Sequence, residues 1–288
     1  MKLVSFLSAQ GPRLGAIEGD DVVDLGAGPE GVTDLGTALA QGRDLSALLS
    51  AVRASAPRHA LATLQLAPAV ARPGKIVCLG LNYADHAKEG GRERPEHPWI
   101  FLRSATSLAA PGAPVKRPRI SEQLDFEAEL AVVIGRRLHQ ASGPQALDAV
   151  FGYACFNDIS VRDYQRRTPQ WTLGKNFDGT GPLGPFVATA DELPPGAEGL
   201  RIQCRLNSAT VQDANTRDML FGVQETLVLL SECMTLEPGD VIAMGTPAGV
   251  GVARQPPLWM KHGDTVEVEI DGLGVLRNRI EDEAEARA

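Results

Sequence analysis

The segment DFEAELAVVIG, residues 125–135, alternates with the period of a β-strand. Because successive side chains of a strand point to opposite faces, one face is entirely apolar, and the other carries the carboxylates of Glu127 and Glu129. Two carboxylates on one face repel each other and are costly to bury. The pattern therefore fits either a solvated strand face or a buried strand whose acidic pair binds a cation.

A third carboxylate follows a second apolar run. Residues 151–156, FGYACF, have the composition of a buried strand, and Asp158 comes just after its end. Asp158 could cap the helical turn that begins near Ser160, or it could join the acidic pair as a ligand. Three carboxylates without a nearby cysteine or histidine would form an all-oxygen site, which favours Mg²⁺ or Mn²⁺ over zinc and copper.

A histidine and a glutamate share one face of a short helix upstream of the acidic pair. In GLNYADHAKEGG, residues 80–91, Asn82 suits an N-cap and Gly90 suits the C-terminal end. His86 and Glu89 are three residues apart, so they lie together on the helix surface. A carboxylate beside a histidine orients the ring for general-base work on water. An ordinary exposed pair has the same spacing, so both interpretations stay open.

Two glycine-rich turns add candidate polar groups. Lys175 stands in GKNFDGTGPLGP, residues 174–185, which lacks the phosphate-loop pattern of nucleotide-binding proteins. Its ammonium could face a carboxylate or a developing enolate. The turn GTPAGVG, residues 245–251, offers N–H groups and the Thr246 hydroxyl to an anion. A structural loop is the alternative for each turn, and Trp171 either packs at the core or lines a pocket.

The composition argues against several classes of protein. With 28 basic and 36 acidic residues, the net charge is -8, which argues against nucleic acid as the main partner. The apolar runs are strand-sized, so we predict no membrane span. The four cysteines are scattered without a CxxC spacing, which makes a zinc knuckle or a redox pair a poor interpretation. No signal peptide is recognisable, so we expect a cytoplasmic location.

Short β patterns dominate after Lys75. Residues 200–206 with 211–214, and residues 265–270 with 275–280, form two hairpin patterns across short turns. Residues 1–70 instead combine three short strands with helical patterns at 35–40 and 45–54. A cluster of proline and glycine at residues 67–74 separates the two parts. We expect the first part to serve in packing or dimerisation, because it carries no paired titratable groups.

Taken together, these segments resemble the fumarylacetoacetate hydrolase family. The matching segments are GLNYADHAK (80–88), DFEAELAVVIG (125–135), FNDISVRDYQ (156–165), GKNFD (174–178) and TLEPGDVIAMGTPAGVG (235–251), in the order of the family. The resemblance implies an α+β, mostly β fold and a homodimer. It implies a mixed β-sandwich or β-roll catalytic domain at residues 75–288, after a small N-terminal α/β domain at residues 1–70.

The resemblance also implies roles for individual residues. The implied metal ligands are Glu127, Glu129 and Asp158. The implied catalytic residues are His86, Glu89 and Lys175. The implied substrate contacts are Tyr83, Arg162, Gln165 and Thr246. Where this chain has Arg103, members of the family often have a lysine. This difference affects the far wall of the substrate pocket that the resemblance implies.

From the resemblance we expect a hydrolase that depends on Mg²⁺ (or Mn²⁺). It would cleave the carbon–carbon bond of a β-diketo acid such as an acylpyruvate or fumarylpyruvate, in the catabolism of aromatic compounds or sugar acids. The substrate would be a small anionic 2-oxo acid. The same chemistry could instead decarboxylate oxaloacetate, or hydrate, isomerise or cleave another 2-oxo acid. A non-catalytic protein that binds a metal or an oxo acid is the alternative from another class, and the His86–Glu89 pair argues against it.

Overall fold

The structure is a computed structural model and describes residues 1–28, 31–91 and 93–284. The strands in these ranges are β1 Lys2–Ser8, β2 Gly11–Glu18, β3 Asp21–Asp24, β4 Arg58–Ala60, β5 Gln65–Leu66, β6 Ile76–Gly80, β7 Trp99–Arg103, β8 Leu108–Ala109, β9 Val115–Arg117, β10 Leu124–Asp125, β11 Ala128–Ile134, β12 Val150–Asn157, β13 Ser160–Val161, β14 Gly181–Thr189, β15 Arg201–Leu206, β16 Ala209–Asn215, β17 Val241–Ala243, β18 Thr265–Ile270 and β19 Gly274–Asp282.

Helices are short and lie between the strands. The α-helices are α1 Leu35–Ala40, α2 Leu45–Val52, α3 Ala84–Glu89, α4 Gly143–Asp148, α5 Arg162–Gln165, α6 Thr172–Lys175 and α7 Val223–Cys233. Single 3₁₀ turns cover Leu61–Thr63, Ala105–Ser107, Ala190–Glu192, Pro195–Ala197, Thr216–Asp218 and Gly251–Ala253. None of the helices in the described part of the chain is long and apolar enough to cross a membrane. A cytoplasmic location stays a prediction.

Two sheets form the body of the molecule. The larger sheet runs in the order β4-β3-β2-β1-β14-β12-β11-β17-β6-β7, with β5 beside β1 and β8 beside β14. The smaller sheet runs in the order β16-β15-β18-β19-β9, and β10 pairs separately with β13. β11 lies antiparallel to both β12 and β17, and all of its residues are buried. The α+β, mostly β class that the sequence predicts is confirmed.

The alternation along β11 divides the core into two layers. Leu130 and Val132 belong to the apolar cluster that includes the residues of the smaller sheet and α7. Ala131 and Val133 belong to a second cluster on the opposite face, together with N-terminal residues such as Leu35. Both faces of β11 are therefore covered, so the acidic pair does not lie on a solvated strand face.

The N-terminal segment joins the larger sheet. β1 pairs antiparallel with β14, and β2, β3 and β4 extend the sheet from there. Residues 1–70 and the remainder of the chain therefore share one continuous sheet as well as one apolar layer. The division into domains at residues 70–75 stays a prediction.

Two elements differ from the sequence-based expectation. The strand pattern of residues 125–135 is interrupted, because β10 ends at Asp125 and β11 begins at Ala128. A nine-residue strand, β14, covers residues 181–189, although residues 174–185 read as a turn-rich loop. Glycine and proline lower the strand propensity of that segment, but pairing with β1 on one side and β12 on the other outweighs this local preference.

Candidate active site

Three buried carboxylates meet at one end of β11 and β12. Glu127 precedes β11, Glu129 is its second residue, and Asp158 follows the end of β12. One oxygen atom from each carboxylate lies within 4.8 Å of the others. The structure therefore brings the three acids that the sequence suggested into one cluster.

The break between β10 and β11 is held by side chains that replace the missing strand hydrogen bonds. The backbone N–H of Glu127 donates to Asn157 Oδ1 at 3.0 Å, and that of Ala128 donates to Gln212 Oε1 at 3.0 Å. Buried backbone groups need such partners, since an unpaired N–H is costly. The interruption places Glu127 and Glu129 beside Asp158. An uninterrupted strand would instead continue the hydrogen-bond ladder at this point.

Asp158 is held between two cations. Its Oδ1 accepts from Arg103 Nη1 at 2.5 Å, and its Oδ2 accepts from Lys175 Nζ at 2.6 Å. The turn that follows it, α5, begins after Val161 without a side-chain cap. The N-cap interpretation of Asp158 is therefore wrong, and its carboxylate belongs to the acidic cluster.

Lys175 lies inside the cluster and is buried. Its ammonium donates to Glu127 Oε2 at 2.6 Å and to Asp158 Oδ2 at 2.6 Å. Burial favours the neutral amine, but the carboxylates of Asp158 and Glu127 outweigh it and raise the pKa of Lys175. The lysine is therefore a positive charge held directly against the acidic cluster.

Glu127, like Asp158, is paired with two cations. Burial alone would raise its pKa, but Lys175 and Arg162 outweigh burial and lower the pKa of Glu127 to about 2. Arg162 Nη2 lies 2.7 Å from Glu127 Oε1, and Arg162 Nε donates to Asp125 Oδ2 at 2.8 Å. Asp125 therefore positions Arg162, which in turn holds Glu127.

The cluster fits a hard divalent cation. Burial, together with the carboxylates of Asp158 and Glu127, raises the pKa of Glu129 well above its usual value. Three carboxylate oxygens are the donors that Mg²⁺ and Mn²⁺ prefer, and a divalent charge among them would offset their mutual repulsion. The donor set and the crowding of negative charge thus agree with a metal site at Glu127, Glu129 and Asp158.

The loop at residues 245–252 binds the carboxylates of the protein itself. Its N–H groups donate to Glu129 Oε2 from Gly245 at 3.0 Å, to Glu89 Oε2 from Gly249 at 2.9 Å, and to Asp125 Oδ1 from Gly251 at 2.8 Å. The expectation that these N–H groups are free for an anion is wrong. The loop instead fixes three acids that come from separate parts of the chain.

A glycine is required where this loop begins. Gly245 has a φ of +85°, and a Cβ there would lie 2.7 Å from the Cβ of Asn82. Asn82 does not cap α3 as expected, because its side-chain amide donates to the carbonyls of Phe221 and Met244. The asparagine thus joins the start of α3 to the segment that leads into the loop.

His86 and Glu89 form the expected pair on α3. His86 Nδ1 lies 2.8 Å from Glu89 Oε1, and Glu89 Oε2 accepts from the loop as described. Glu89 therefore fixes the ring and also joins α3 to the loop. With Nδ1 engaged, Nε2 is the imidazole nitrogen that can take up a proton.

A cavity of about 180 Å³ joins these groups. The sequence-predicted residues that line it are His86, Glu127, Glu129, Arg162, Gln165, Lys175 and Thr246. Trp171 also lines the cavity, which agrees with one of its two sequence-based interpretations. The Thr246 hydroxyl accepts from Gln212 at 2.9 Å, which leaves its own proton for an acceptor in the cavity.

Tyr83 is the predicted substrate contact that the structure places differently. It is buried, its hydroxyl has no hydrogen-bond partner within the described ranges, and it is not among the residues that line the cavity. Asp158 and Glu89 also lie behind the cavity wall, where they hold Lys175 and His86 respectively. The substrate role of Tyr83 stays a prediction.

Two buried residues, Arg103 and Asp125, have roles in the site that the sequence analysis did not predict. Arg103 does not form a far wall of the cavity, because its guanidinium donates to Asp158, Ser107 and Thr180. Asp125 accepts four hydrogen bonds, from Arg162 and from three backbone N–H groups. For both, the sequence signal was a charged residue next to apolar residues of a strand pattern. Such a charge requires a partner if it is buried, because an unpaired buried charge is costly.

Comparisons with known proteins agree with this geometry. The profile of the fumarylacetoacetate (FAA) hydrolase C-terminal domain matches residues 75–281. Oxaloacetate tautomerase FAHD2A, mitochondrial, from Bos taurus is 39% identical over 97% of this chain and 91% of that protein. Among solved structures, fumarylacetoacetate hydrolase from psychrophilic Exiguobacterium antarcticum has a TM-score of 0.85 and 33% identity, and covers 98% of this chain and 100% of its own.

A further solved structure contains a metal ion. Maleylpyruvate hydrolase from Sphingobium sp. SYK-6, in complex with manganese (II) ion and pyruvate, has a TM-score of 0.82 and 28% identity, and covers 99% of this chain and 100% of its own. The family profile covers well over half of the chain, and the bovine relative spans nearly all of it. The chain therefore belongs to the fumarylacetoacetate hydrolase family.

Proposed function

We propose that this protein is an oxaloacetate tautomerase that depends on Mg²⁺ or Mn²⁺. The observation that carries the proposal is a single cavity lined by a paired histidine, by two of three clustered carboxylates and by a buried lysine. Such a site can hold a 2-oxo acid and move a proton next to its carbonyl group. The similarity to oxaloacetate tautomerases over nearly the full chain supports this choice of substrate.

Each residue then has a distinct task. A divalent ion bound by Glu127, Glu129 and Asp158 would supply Lewis acidity to a 2-oxo carboxylate. His86, oriented by Glu89, takes the proton from the carbon next to the carbonyl and returns it to the oxygen. Lys175 stabilises the negative charge that develops on this oxygen.

The size of the cavity supports a short substrate. Its volume of about 180 Å³ slightly exceeds the ~150 Å³ of an apolar cavity that binds benzene. A four-carbon oxo diacid is of this order. Long acyl chains would have to extend from the mouth of the cavity into solvent.

Carbon–carbon hydrolysis of a β-diketo acid, such as an acylpyruvate or fumarylpyruvate, is the second candidate. The orientation of His86 by Glu89 favours it, because such a pair suits the activation of water for attack on the distal carbonyl. The similarity to a maleylpyruvate hydrolase supports it as well. Both candidates require the same cavity and differ in whether the histidine deprotonates carbon or water.

An assay of products separates the candidates. The purified protein is given oxaloacetate with Mg²⁺, Mn²⁺ or EDTA, and the enol form is followed by its ultraviolet absorbance. We expect enol–keto equilibration to accelerate with either metal ion and to return to the uncatalysed rate with EDTA. Release of pyruvate from an acylpyruvate would indicate hydrolysis, and its release from oxaloacetate would indicate decarboxylation. Absence of all three activities would contradict an enzymatic role.

A further inference from the structure

Inside the site, each buried cation already faces a carboxylate of the protein. Arg103 forms an ion pair with Asp158, Lys175 forms ion pairs with Glu127 and Asp158, and Arg162 forms ion pairs with Asp125 and Glu127. These cations offset the acidic cluster and position it. They therefore have little capacity left to neutralise a second negative charge on a ligand.

Arg166 is a cation of a different kind. It is the first residue after α5, it lines the cavity, and it is exposed. Its guanidinium makes no hydrogen bond, ion pair or ring contact within residues 1–28, 31–91 and 93–284. The cavity thus presents an exposed arginine, without a carboxylate partner in the described residues, whose donors are available to a ligand.

The helical turn explains why this arginine faces the cavity. Arg162, Gln165 and Arg166 are related by three and four positions, which places them on one face of α5, and all three line the cavity. The next residue, Arg167, stacks on the Tyr164 ring at 3.4 Å instead and does not line the cavity. Two adjacent arginines therefore have separate surroundings.

We propose that Arg166 binds the distal carboxylate of the substrate and makes the site selective for dicarboxylic 2-oxo acids. This inference rests on the proposed function and adds to it the second acidic group of the substrate. The 2-oxo carboxylate end is directed to the acidic cluster, where a metal ion can chelate it, and the other carboxylate lies towards the exposed side of the cavity. A guanidinium matches a carboxylate through two parallel hydrogen bonds, which gives both charge and shape selectivity.

The test compares Arg166→Gln with Arg167→Gln, a matched loss of one positive charge at the next position. Binding to the Mg²⁺-loaded protein is measured by calorimetry with two ligands. Oxalate has both of its carboxylates in the chelating end, whereas 3,3-difluoro-oxaloacetate carries a further carboxylate distal to its chelating 2-oxo acid and has no proton to lose at the intervening carbon. The KM for oxaloacetate is measured in parallel, and thermal melts establish that both variants fold.

We expect Arg166→Gln to weaken binding of the difluoro dicarboxylate by about 10-fold to 100-fold, the range for a lost hydrogen bond to a charged group. Oxalate binding stays unchanged, and the KM for oxaloacetate rises by a similar factor. Arg167→Gln changes none of these values. Equal losses for oxalate and for difluoro-oxaloacetate, equal losses in both variants, or unchanged binding by Arg166→Gln would each overturn the proposal. Because the binding arm needs no turnover, it remains decisive even if the protein proves not to be a tautomerase.

Discussion

Substitution of His86 should impair proton transfer without disturbing the acidic cluster. Its hydrogen-bond partner is Glu89, not one of the three clustered carboxylates. We therefore expect His86→Asn to lower kcat by about 10²-fold to 10⁴-fold, the usual contribution of a general base, while Mn²⁺ affinity stays unchanged. Steady-state kinetics and calorimetry with Mn²⁺ measure the two quantities.

The control for this variant is His139→Asn, because His139 is exposed and does not line the cavity. It should keep full activity. Retention of more than a tenth of kcat by His86→Asn, with metal bound, would show that another group moves the proton.

Arg103 acts through Asp158 and is a positioning residue. Its guanidinium donates at once to Asp158, Ser107 and Thr180, and a lysine could not make these three contacts together. We expect Arg103→Lys to lower Mn²⁺ affinity by about 10-fold to 100-fold, as found for residues that orient metal ligands. In kinetics, the metal concentration for half-maximal rate should rise, while the rate at saturating metal falls less.

A purely structural role for Arg103 would instead lower the melting temperature without changing metal affinity. Calorimetry at a temperature far below the melting transition distinguishes the two outcomes. The variant Lys116→Arg, at an exposed ion pair with Glu281, is a control for exchange between the two basic side chains and should change neither quantity.

Sequence patterns predicted the parts of the site that depend on local spacing. Strand alternation predicted Glu127 and Glu129 as a pair, although Glu127 lies in the break before β11, and helical spacing predicted His86 with Glu89. Arg103 bonds a residue 55 positions away, and Asp125 bonds one 37 positions away. Those pairings depend on how the strands are ordered in the sheet, which local periodicity does not contain.

At the scale of elements, hairpins were predictable because turn chemistry and alternation agree. β15 and β16 meet across Asn207 and Ser208, both with positive φ, and β18 and β19 meet across residues 271–273. β14 was missed, since its glycines and prolines signal a loop and its pairing with β1 and β12 supplies what its own sequence lacks. Local propensity therefore predicts the strands of hairpins. It misses strands that are stabilised by partners distant in sequence.

The smaller sheet carries a cross-strand charge network that should govern acid stability. Glu267 on β18 bonds Arg205 on β15 and Arg277 on β19, at 2.8 Å and 2.6 Å. These guanidinium groups lower the pKa of Glu267. The ionised carboxylate therefore contributes stability at pH values above the usual glutamate pKa, and this contribution disappears as pH falls through the lowered pKa.

We expect Glu267→Gln to lower the free energy of unfolding by about 1 kcal/mol at neutral pH. The difference from the unmodified protein should shrink in acid and vanish once Glu267 is protonated. Urea titrations across this pH range measure it. Glu269→Gln also removes a partner of Arg205, but its side chain is 40% exposed, so its loss should be smaller. A difference that is independent of pH would contradict the assignment.

At the scale of the whole molecule, the N-terminal segment covers one face of the sheet that holds the site. Apolar residues such as Leu3, Leu35 and Val70 lie in the same buried cluster as Val133 of β11 and Phe156 of β12. The strands that present Glu129 and Asp158 therefore depend on a layer supplied by the first 70 residues. That dependence leads to a test of the predicted domain boundary.

A chain of residues 75–288 alone should lose cooperative folding, because removal of residues 1–74 exposes this apolar face and the edge of β14 that pairs with β1. We expect aggregation or a broad thermal transition, and weak or absent Mn²⁺ binding. Co-expression of residues 1–74 as a separate polypeptide should restore both properties, since β1 joins β14 through hydrogen bonds and packing rather than through chain continuity. A monodisperse fragment that melts cooperatively and binds Mn²⁺ by itself would instead show that residues 75–288 fold independently, in which case the shared sheet adds stability without being required for the site.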